Sequence, residues 1–409
     1  MEAAVEYEPF AVDVMTDPYP VYRELRAGAR AYPLPQYDAY ALPRFDDVWR
    51  VLADRDRFSI VEGPVFHRQL LLEHHDTAPD AAVPTPLPSF SMLDPPAHTR
   101  VRQALLAPFR PRVVAPLEPT VRRLARARLD ALADHDQFDV RHDYASPVSA
   151  QVAALQLGFP VDDAESLVAL VNRFVQREPG RAGISDEGWA ARRELQEYLV
   201  ALVAARRRAA GSSNPTEPDV IDTLLTFGGV HAPLDDAEIA EQLSTLFIGG
   251  SETLPKVVAG GAYQLWRHPD QRAAVVGDAG LAIPAFEEIL RYELPLQFIG
   301  RTLRVDAEVA GEPMHAGQRV VLLLISANRD EREFDDPERF DVHRRIERHL
   351  GLGHGTHVCI GAHVARLEGV VMMQELLARF PVYEVDEQGL EREASEFQVG
   401  WGRMPIGPA

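Results

Sequence analysis

Apolar residues recur at helical spacing along most of the chain, and the longest such run covers residues 235–268. Ile239, Leu243 and Phe247 fall on one helix face, because they repeat with a period close to 3.6 residues. Asp235 supplies a favourable N-cap. At 1.5 Å per residue, roughly 30 residues predict a helix of about 45 Å, which is long enough to cross a whole domain.

The middle of this predicted helix contains residues that disfavour helices. Gly249 and Gly250 each cost up to about 1 kcal/mol relative to alanine, and Pro255 has no N–H to donate to the preceding turn. We therefore expect the helix to bulge there, with Thr253 bonding the carbonyl of Gly249. The missing side chains would let a ligand approach the backbone beside the carboxylate of Glu252. A kinked core helix with a surface glutamate would have the same sequence.

A second helical pattern, over residues 360–380, follows a glycine-rich loop that contains the only cysteine of the chain, Cys359. The N-terminus of a helix favours a thiolate over a thiol. Gly353, Gly355 and Gly361 allow positive φ angles and leave room for a large flat group against the backbone. The loop therefore predicts a sulfur ligand to a metal held in a planar macrocycle.

Two other interpretations of Cys359 stay open on this loop alone. An isolated cysteine is most often a small buried apolar side chain. Cys359 could also join His354, His357 and His363 in a zinc cluster, since cysteine and histidine are the preferred ligands of zinc. The two patterns elsewhere in the chain, at the centre of the long helix and at residues 288–291, argue against zinc.

Glu288 and Arg291 stand three residues apart in a helix that we expect to begin at Pro284, a favoured first helical position. Residues at this spacing share a helix face, so the two side chains can pair. Without further context, the default interpretation is a solvated surface pair worth less than about 1 kcal/mol.

The glycine-rich loop at residues 353–361, which we name the cysteine loop, resembles the haem-binding signature of the cytochrome P450 monooxygenases. It departs from that signature at Leu352, where the family has an aromatic residue; leucine still shields the sulfur from water. The residues that match are Gly353, Gly355, His357, Cys359 and Gly361, followed by Ala365, Arg366 and Glu368.

The centre of the long helix resembles the oxygen-activation segment of the same family, at Gly249, Gly250, Glu252 and Thr253. The resemblance implies that Cys359 binds the iron of haem b and that Glu252 and Thr253 relay protons. It also implies close approach of the haem to backbone at three glycines, Gly249, Gly353 and Gly361.

Further residues take their expected roles from the resemblance. The two haem propionates would be bound by His98, Arg102, Arg301 and His357, of which the first two lie one helical turn apart. A buried network supporting the cysteine loop would consist of Glu288, Arg291 and Arg339. The substrate pocket would be lined by part of the loop at 78–96 and by Phe247, Gly250, Leu296, Phe298, Ile299 and Phe397.

The fold implied by the resemblance is mainly α with a small β region, in which a long central helix lies over the haem and the cysteine loop lies beneath it. No linker or repeat divides the chain, so we expect residues 1–409 to form a single domain. Loops without periodicity are expected at 78–96 and 211–218. The absence of a long apolar run, of a signal sequence and of a second cysteine predicts a soluble, cytoplasmic protein.

A net charge of -20 argues against a nucleic-acid partner, whose phosphates would be repelled. Two local groups of basic residues stand out against this background and suggest a docking surface for an acidic electron donor, although a mixed surface would look the same. They are Arg100, Arg102, Arg110 and Arg112 in one segment, and Arg344, Arg345, Arg348 and His349 in the other.

The implied activity is insertion of one oxygen atom from O2 into an apolar organic substrate, by hydroxylation, epoxidation or O-demethylation. Electrons would come from NAD(P)H through an iron–sulfur ferredoxin and its reductase. The substrate would be a terpenoid, fatty or aromatic molecule. Two alternatives are a non-catalytic haem sensor and a peroxide-driven peroxygenase, both of which would have less use for the Glu252–Thr253 pair.

Overall fold

The computed structural model describes residues 6–73, 83–178, 182–210, 219–230 and 232–408. Within these ranges the protein is mainly α-helical and carries a small β region, as expected. The predicted loop at 211–218 lies outside the described residues, as does part of the predicted loop at 78–96.

Helices make up most of the described chain, and the strands between them are short. The α-helices are α1 (Val12–Thr16), α2 (Tyr19–Ala27), α3 (Phe45–Ala53), α4 (Arg68–Leu72), α5 (Ala97–Leu105), α6 (Pro111–Val114), α7 (Glu118–Leu132), α8 (Ser146–Leu157), α9 (Ala164–Val175), α10 (Asp186–Ala210), α11 (Val220–Thr226), α12 (Asp236–Arg267), α13 (Pro269–Gly277), α14 (Ala282–Tyr292), α15 (Leu324–Ala327) and α16 (Ala362–Arg379). The strands are β1 (Tyr32–Leu34), β2 (Ala39–Leu42), β3 (Phe58–Ser59), β4 (Phe138–Asp139), β5 (Ile299–Leu303), β6 (Ala307–Val309), β7 (Glu312–Met314), β8 (Arg319–Leu322), β9 (Tyr383–Val385), β10 (Glu391–Arg392), β11 (Trp401–Arg403) and β12 (Pro405–Pro408).

The largest sheet has the strand order β1-β2-β8-β5-β3. Strands β2 and β8 pair in parallel, and the other neighbours are antiparallel. All four residues of β8 are buried, which is typical of a strand covered on both faces. This sheet fixes the position of β5, which carries Arg301 and begins at Ile299.

Helix α12 lies at the centre of the fold and packs against α8, α9, α10, α14 and α16. Its N-terminus has a capping box, in which Asp235 accepts from the N–H of Glu238 at 2.8 Å and the Glu238 carboxylate accepts from the N–H of Asp235 at 3.1 Å. Most of its residues are buried, so its stability comes from packing rather than from intrinsic propensity. The predicted long helix is therefore present with almost the predicted ends.

The bulge predicted within α12 is not present, because the α-helix continues without interruption past Gly249 and through Pro255. The back-bond to the preceding turn is made by a different hydroxyl than expected: the Ser251 hydroxyl donates to the carbonyl of Phe247 at 2.7 Å. The packing of neighbouring helices around α12 holds the segment helical despite its glycines and proline.

Helix α14 begins at Ala282 rather than at Pro284. A 3-10 turn, Ala279–Leu281, leads into it and sets helical backbone angles before the proline is reached. Pro284 is still within the first turn, where its missing N–H has no intrahelical partner to lose. Among the described residues, no helix combines the length and the hydropathy that crossing a membrane would require.

Candidate active site

The loop before α16 holds Cys359 by its backbone. The Cys359 N–H donates to the carbonyl of Leu352 at 2.9 Å, which closes the loop. Gly353 and Gly355 have φ angles of +71° and +72°, and a Cβ added to Gly355 would lie 2.1 Å from the carbonyl oxygen of Leu52 in α3. These glycines are required by the left-handed backbone, and Gly355 also by the close approach of α3.

The Cys359 side chain is accessible although the surrounding protein desolvates it, so the sulfur faces an interior space rather than bulk solvent. Burial raises the pKa of the Cys359 thiol, and the backbone N–H of Gly361 and the cations of Arg102 and Arg366 oppose that rise. Coordination to a metal removes the thiol proton outright. Among the described residues, no three His, Cys, Asp or Glu side chains form a group that could hold a metal ion, so the zinc cluster is not supported.

The histidines of the zinc alternative have other surroundings. His354 stacks on the indole of Trp49 with ring centroids 3.5 Å apart. The rings of His357 and His98 have centroids 4.0 Å apart. His363 is exposed at the start of α16.

Four basic side chains, which we name the cation cluster, come from three parts of the chain: His98 and Arg102 from α5, Arg301 from β5, and His357 from the cysteine loop. His98 is buried, and neither of its ring nitrogens has a hydrogen-bond partner among the residues that the structure describes. Arg301 is 5% exposed and donates to the carbonyl of Gly300 at 2.7 Å. Arg102 donates to the carbonyl of Val358 at 2.7 Å. Within the described residues, neither arginine is within ion-pair distance of a carboxylate.

The surroundings of the cation cluster disfavour the charged forms of its members. Burial, and secondarily the charge of neighbouring cations, lowers the pKa of His357 to about 2. The same two causes lower the pKa of His98 to about 4, and burial lowers the pKa of Arg301 to about 10. A buried cation without a partner is costly. Two propionates would supply the missing anions, so these residues fit the haem of the resemblance.

Gly249 and Gly250 are exposed although α12 is otherwise largely buried. Within the described part of the chain, a Cβ added to Gly249 would have no neighbour within 4 Å, and one added to Gly250 would meet only Ala153, at 3.4 Å. The two glycines therefore face open space, and a flat cofactor or a substrate can approach the backbone there.

Glu252 is buried in a set of polar side chains that we name the distal network: Glu252, Lys256, Glu393, Gln398 and Arg141. Glu252 forms an ion pair with Lys256, one helical turn later, and accepts from the Gln398 amide at 2.7 Å. Arg141 lies 3.8 Å from the Glu252 carboxylate. Thr253 is half-buried next to Glu252 on the same helix.

The predicted pair of Glu288 and Arg291 is fully buried, with two charge-assisted hydrogen bonds of 2.7 and 2.8 Å. The third member of this network is Arg344, whose Nε lies 3.2 Å from Glu288 Oε1. The expectation for Arg339 was wrong in this respect. Its side chain is 64% exposed, and only its carbonyl takes part, accepting from Arg291 at 3.4 Å and from Arg344 at 2.8 Å.

The residues predicted to line a substrate pocket separate into two groups. Phe247 and Phe298 have no exposed surface and belong to the packed core, so the expectation for them was wrong. Phe247 packs on Phe159 with ring centroids 5.6 Å apart. Exposed or partly buried positions are Gly250, Leu296, Ile299 and Phe397.

Several residues of the site were not predicted from the sequence. Arg177 lies 5.1 Å from the ring centroid of Phe397 and pairs with Glu396 at 3.2 Å, and both charged side chains are buried. Lys256 could have been found from its spacing to Glu252. Glu393, Gln398 and Arg141 are brought in by long-range packing and had no local signal. Arg344 was expected on a docking surface, and long-range packing brings it to Glu288 instead.

Comparison with known proteins agrees with this arrangement. The family model described as Cytochrome P450 matches residues 284–406. Cytochrome P450 130 of Mycobacterium tuberculosis strain H37Rv is 33% identical over 395 residues, covering 93% of each chain. Vitamin D(3) 25-hydroxylase of Pseudonocardia autotrophica is 30% identical over 413 residues, covering 98% of this chain and 96% of the relative.

Among solved structures, a myxobacterial cytochrome P450 in complex with myristic acid superposes with a TM-score of 0.82 at 27% identity, covering 98% of both chains. Similarity of this extent over nearly the whole length includes the central helix, the five-stranded sheet and the cysteine loop. The chain therefore belongs to the cytochrome P450 family, and it is a haem b monooxygenase that uses O2 and an organic substrate.

Proposed function

We propose that Cys359 is the protein ligand to the haem iron and that the protein inserts one oxygen atom from O2 into an apolar organic substrate. The observation that carries this proposal is the accessible Cys359 sulfur, held ahead of α16 by a glycine loop. Residues 1–409 are proposed to act as one domain.

When bound, thiolate-ligated haem supplies the chemistry of O–O bond cleavage. The chain supplies the rest. Cys359 would ligate the iron as a thiolate, and the cation cluster would hold the propionates. Glu252 delivers protons, and the Thr253 hydroxyl passes them on toward the place where O2 would bind.

The proton role of Thr253 is tested by Thr253→Ala. We expect the variant to bind haem and substrate normally but to waste reducing equivalents, so that product formed per NAD(P)H consumed falls about tenfold or more. Ser251→Ala is a matched control, because that hydroxyl lies on the same helix but is engaged with the Phe247 carbonyl. Normal coupling in Thr253→Ala would contradict the proposed role.

The proposed substrate is lipophilic, because Gly250, Leu296, Ile299 and Phe397 offer no charge. The Arg177–Glu396 pair beside Phe397 is internally balanced and so provides no free anchor. Relatives named for vitamin D(3) and crystallised with myristic acid bind molecules of this kind. In a titration followed by the haem spectrum, a long-chain fatty acid and its methyl ester should bind with similar Kd values. A strong preference for the acid would mean that a cation anchors the substrate.

The proposed electron donor is an acidic ferredoxin. Several residues of the basic groups are already occupied: Arg344 by Glu288, Arg348 by Glu333, and His349 by Glu287. The proposed docking residues are therefore the exposed Arg110, Arg112 and Arg345.

Stopped-flow reduction by a ferredoxin tests this docking. The rate should fall as salt rises, because charges are screened beyond about 8 Å at physiological ionic strength. Arg110→Glu and Arg345→Glu should slow reduction, whereas Arg208→Glu, which changes an exposed arginine near the end of α10, should not. Reduction rates that change neither with salt concentration nor with charge reversal would contradict the docking proposal.

The two alternatives make different predictions. A peroxygenase would form product with hydrogen peroxide at rates comparable to those with the full electron-transfer chain. A haem sensor would bind ligands without product under either condition. The buried Glu252 next to Thr253 favours the monooxygenase, because neither alternative needs repeated proton delivery.

A further inference from the structure

Lys256 is the only lysine of the chain, so every other member of its 42 lysine and arginine residues is an arginine. This single lysine does not lie on the surface: its side chain is 0% exposed. It lies on α12 one turn after Glu252. The two basic residue types differ chemically, since an arginine keeps its proton in proteins and a lysine can release one.

The Lys256 ammonium has three polar side chains around it. It pairs with Glu252, lies 3.0 Å from Glu393 Oε1 and donates to Gln398 Oε1 at 2.6 Å. Gln398 in turn donates to Glu252. Lys256 therefore joins two carboxylates that have no direct contact in the structure.

Glu393 is the outer member of this set, because its side chain is 10% exposed whereas that of Glu252 is 2% exposed. Glu393 also accepts from Arg141 at 3.0 Å. Burial raises the pKa of Glu393, but the ammonium of Lys256 and the guanidinium of Arg141 outweigh burial, so the pKa lies below its ordinary value. At neutral pH, Glu393 therefore rests as a carboxylate that can receive a proton.

Two cations and two carboxylates are balanced in the distal network. In a poorly solvated interior, moving a proton from an ammonium to a carboxylate replaces two buried charges by two neutral groups, which offsets part of the cost of separating the proton from its amine. Arg141 cannot take that step, and Lys256 can.

We propose that Lys256 relays protons from Glu393 to Glu252. In each passage an N–H bond of the ammonium breaks and an O–H bond forms on Glu252. The neutral amine then takes a proton from Glu393, which has received it from solvent water, and no electron is transferred. This inference rests on the proposed proton role of Glu252, and it makes the segment around Glu393 the proton entrance.

The single lysine allows a direct test, because protein labelled with 15N-lysine has one Nζ signal. We would measure exchange of the Nζ protons with water in the holoprotein, in its diamagnetic reduced carbon monoxide form. Glu393→Gln keeps the shape and the hydrogen-bond acceptor but cannot shuttle the proton, so exchange should slow about tenfold or more. Glu396→Gln is the matched control, because Glu396 is a buried carboxylate nearby that pairs with Arg177 instead. Equal exchange in Glu393→Gln and wild type would overturn the proposal.

A second variant addresses turnover. Lys256→Arg keeps the charge, so a purely structural ion pair should be rescued, whereas a relay should not. We expect unchanged haem and substrate-binding spectra, product formation slowed about tenfold or more, and a larger solvent isotope effect. Wild-type rates and isotope effect in Lys256→Arg would overturn the relay.

Failure of this inference is distinguishable from failure of the proposed function. If Thr253→Ala and Glu252→Gln uncouple turnover while Lys256→Arg and Glu393→Gln behave as wild type, only the relay through Lys256 is wrong. If Thr253→Ala and Glu252→Gln remain fully coupled, the proposed proton role of those two residues is wrong, whatever the exchange rate at Lys256.

Discussion

The cation cluster and the distal network both contain buried charged side chains, and they differ in whether those charges are balanced by carboxylates. In the distal network, Lys256 and Arg141 are matched by the carboxylates of Glu252 and Glu393. The cation cluster has no such carboxylates among the described residues, and the ring of His98 has no hydrogen-bond partner there. A balanced group is complete within the chain. An unbalanced one indicates an external anion, which we propose to be the haem propionates.

The largest effect is expected where balance is removed from the distal network. Lys256→Met should lower the free energy of unfolding of the haem-free protein by about 3–5 kcal/mol, because it leaves buried carboxylates without their cation. Removing Glu252 as well, in Lys256→Met with Glu252→Leu, should recover part of that loss. Urea unfolding measures both variants. If Lys256→Met unfolds like wild type, the ion pair contributes nothing to the fold.

In the cation cluster, by contrast, we expect a substitution to weaken haem binding without lowering the stability of the haem-free protein. Arg301→Met should weaken haem binding by about 10–100-fold, since it removes a charge-assisted bond worth about 1.5–3 kcal/mol. It should not lower the stability of the haem-free protein. The substitution removes a buried cation that is not paired with a carboxylate, so no buried carboxylate is left without its cation. Haem titration tests the expected loss of haem affinity, and urea unfolding tests the expected stability of the haem-free protein. Arg304→Met is the control, since Arg304 already pairs with Asp94; equal haem affinity in Arg301→Met and Arg304→Met would contradict a propionate role.

A smaller effect is expected at Glu368, a buried carboxyl that accepts a hydrogen bond from a hydroxyl rather than from a cation. Burial raises its pKa to about 8, although the Ser149 hydroxyl, donating at 2.5 Å, opposes the rise. The unfolded chain loses this proton above its ordinary pKa of 4.5, whereas the folded protein keeps it, so stability falls as pH rises from there to about 8.

Glu368→Gln removes this dependence and keeps an acceptor for Ser149. The variant should match wild type near pH 4.5, its gain should grow with pH, and at pH 8 it should be more stable than wild type. Thermal unfolding across this range measures the gain. A difference that stays constant with pH would show that Glu368 is not held protonated.

The sequence predicted the features that depend on short-range patterns. Helix α12 follows from its apolar period and the Asp235 cap, and the position of the cysteine loop ahead of α16 follows from the glycines around Cys359. The contact between Glu288 and Arg291 follows from helical spacing, although their complete burial does not.

Other features depend on contacts between distant segments. Nothing local decides whether Arg339 or Arg344 faces Glu288, because both lie in an irregular segment without periodicity. Gln398 reaches Glu252 across 146 residues of sequence. Phe247 was assigned to the pocket by its place in the helix, but packing against Phe159 removes it from open space. The continuous helix through Pro255 likewise reflects tertiary packing, which overrides local propensity.

The central claim is that the Cys359 thiolate binds the haem iron, and the most direct test is the spectrum of the reduced carbon monoxide complex. Wild-type holoprotein should show the strongly red-shifted Soret band of thiolate ligation. Cys359→Ser should retain the fold, as judged by circular dichroism, and lose that band, because no other cysteine exists in the chain to replace the ligand. A variant that keeps the red-shifted band would contradict the account.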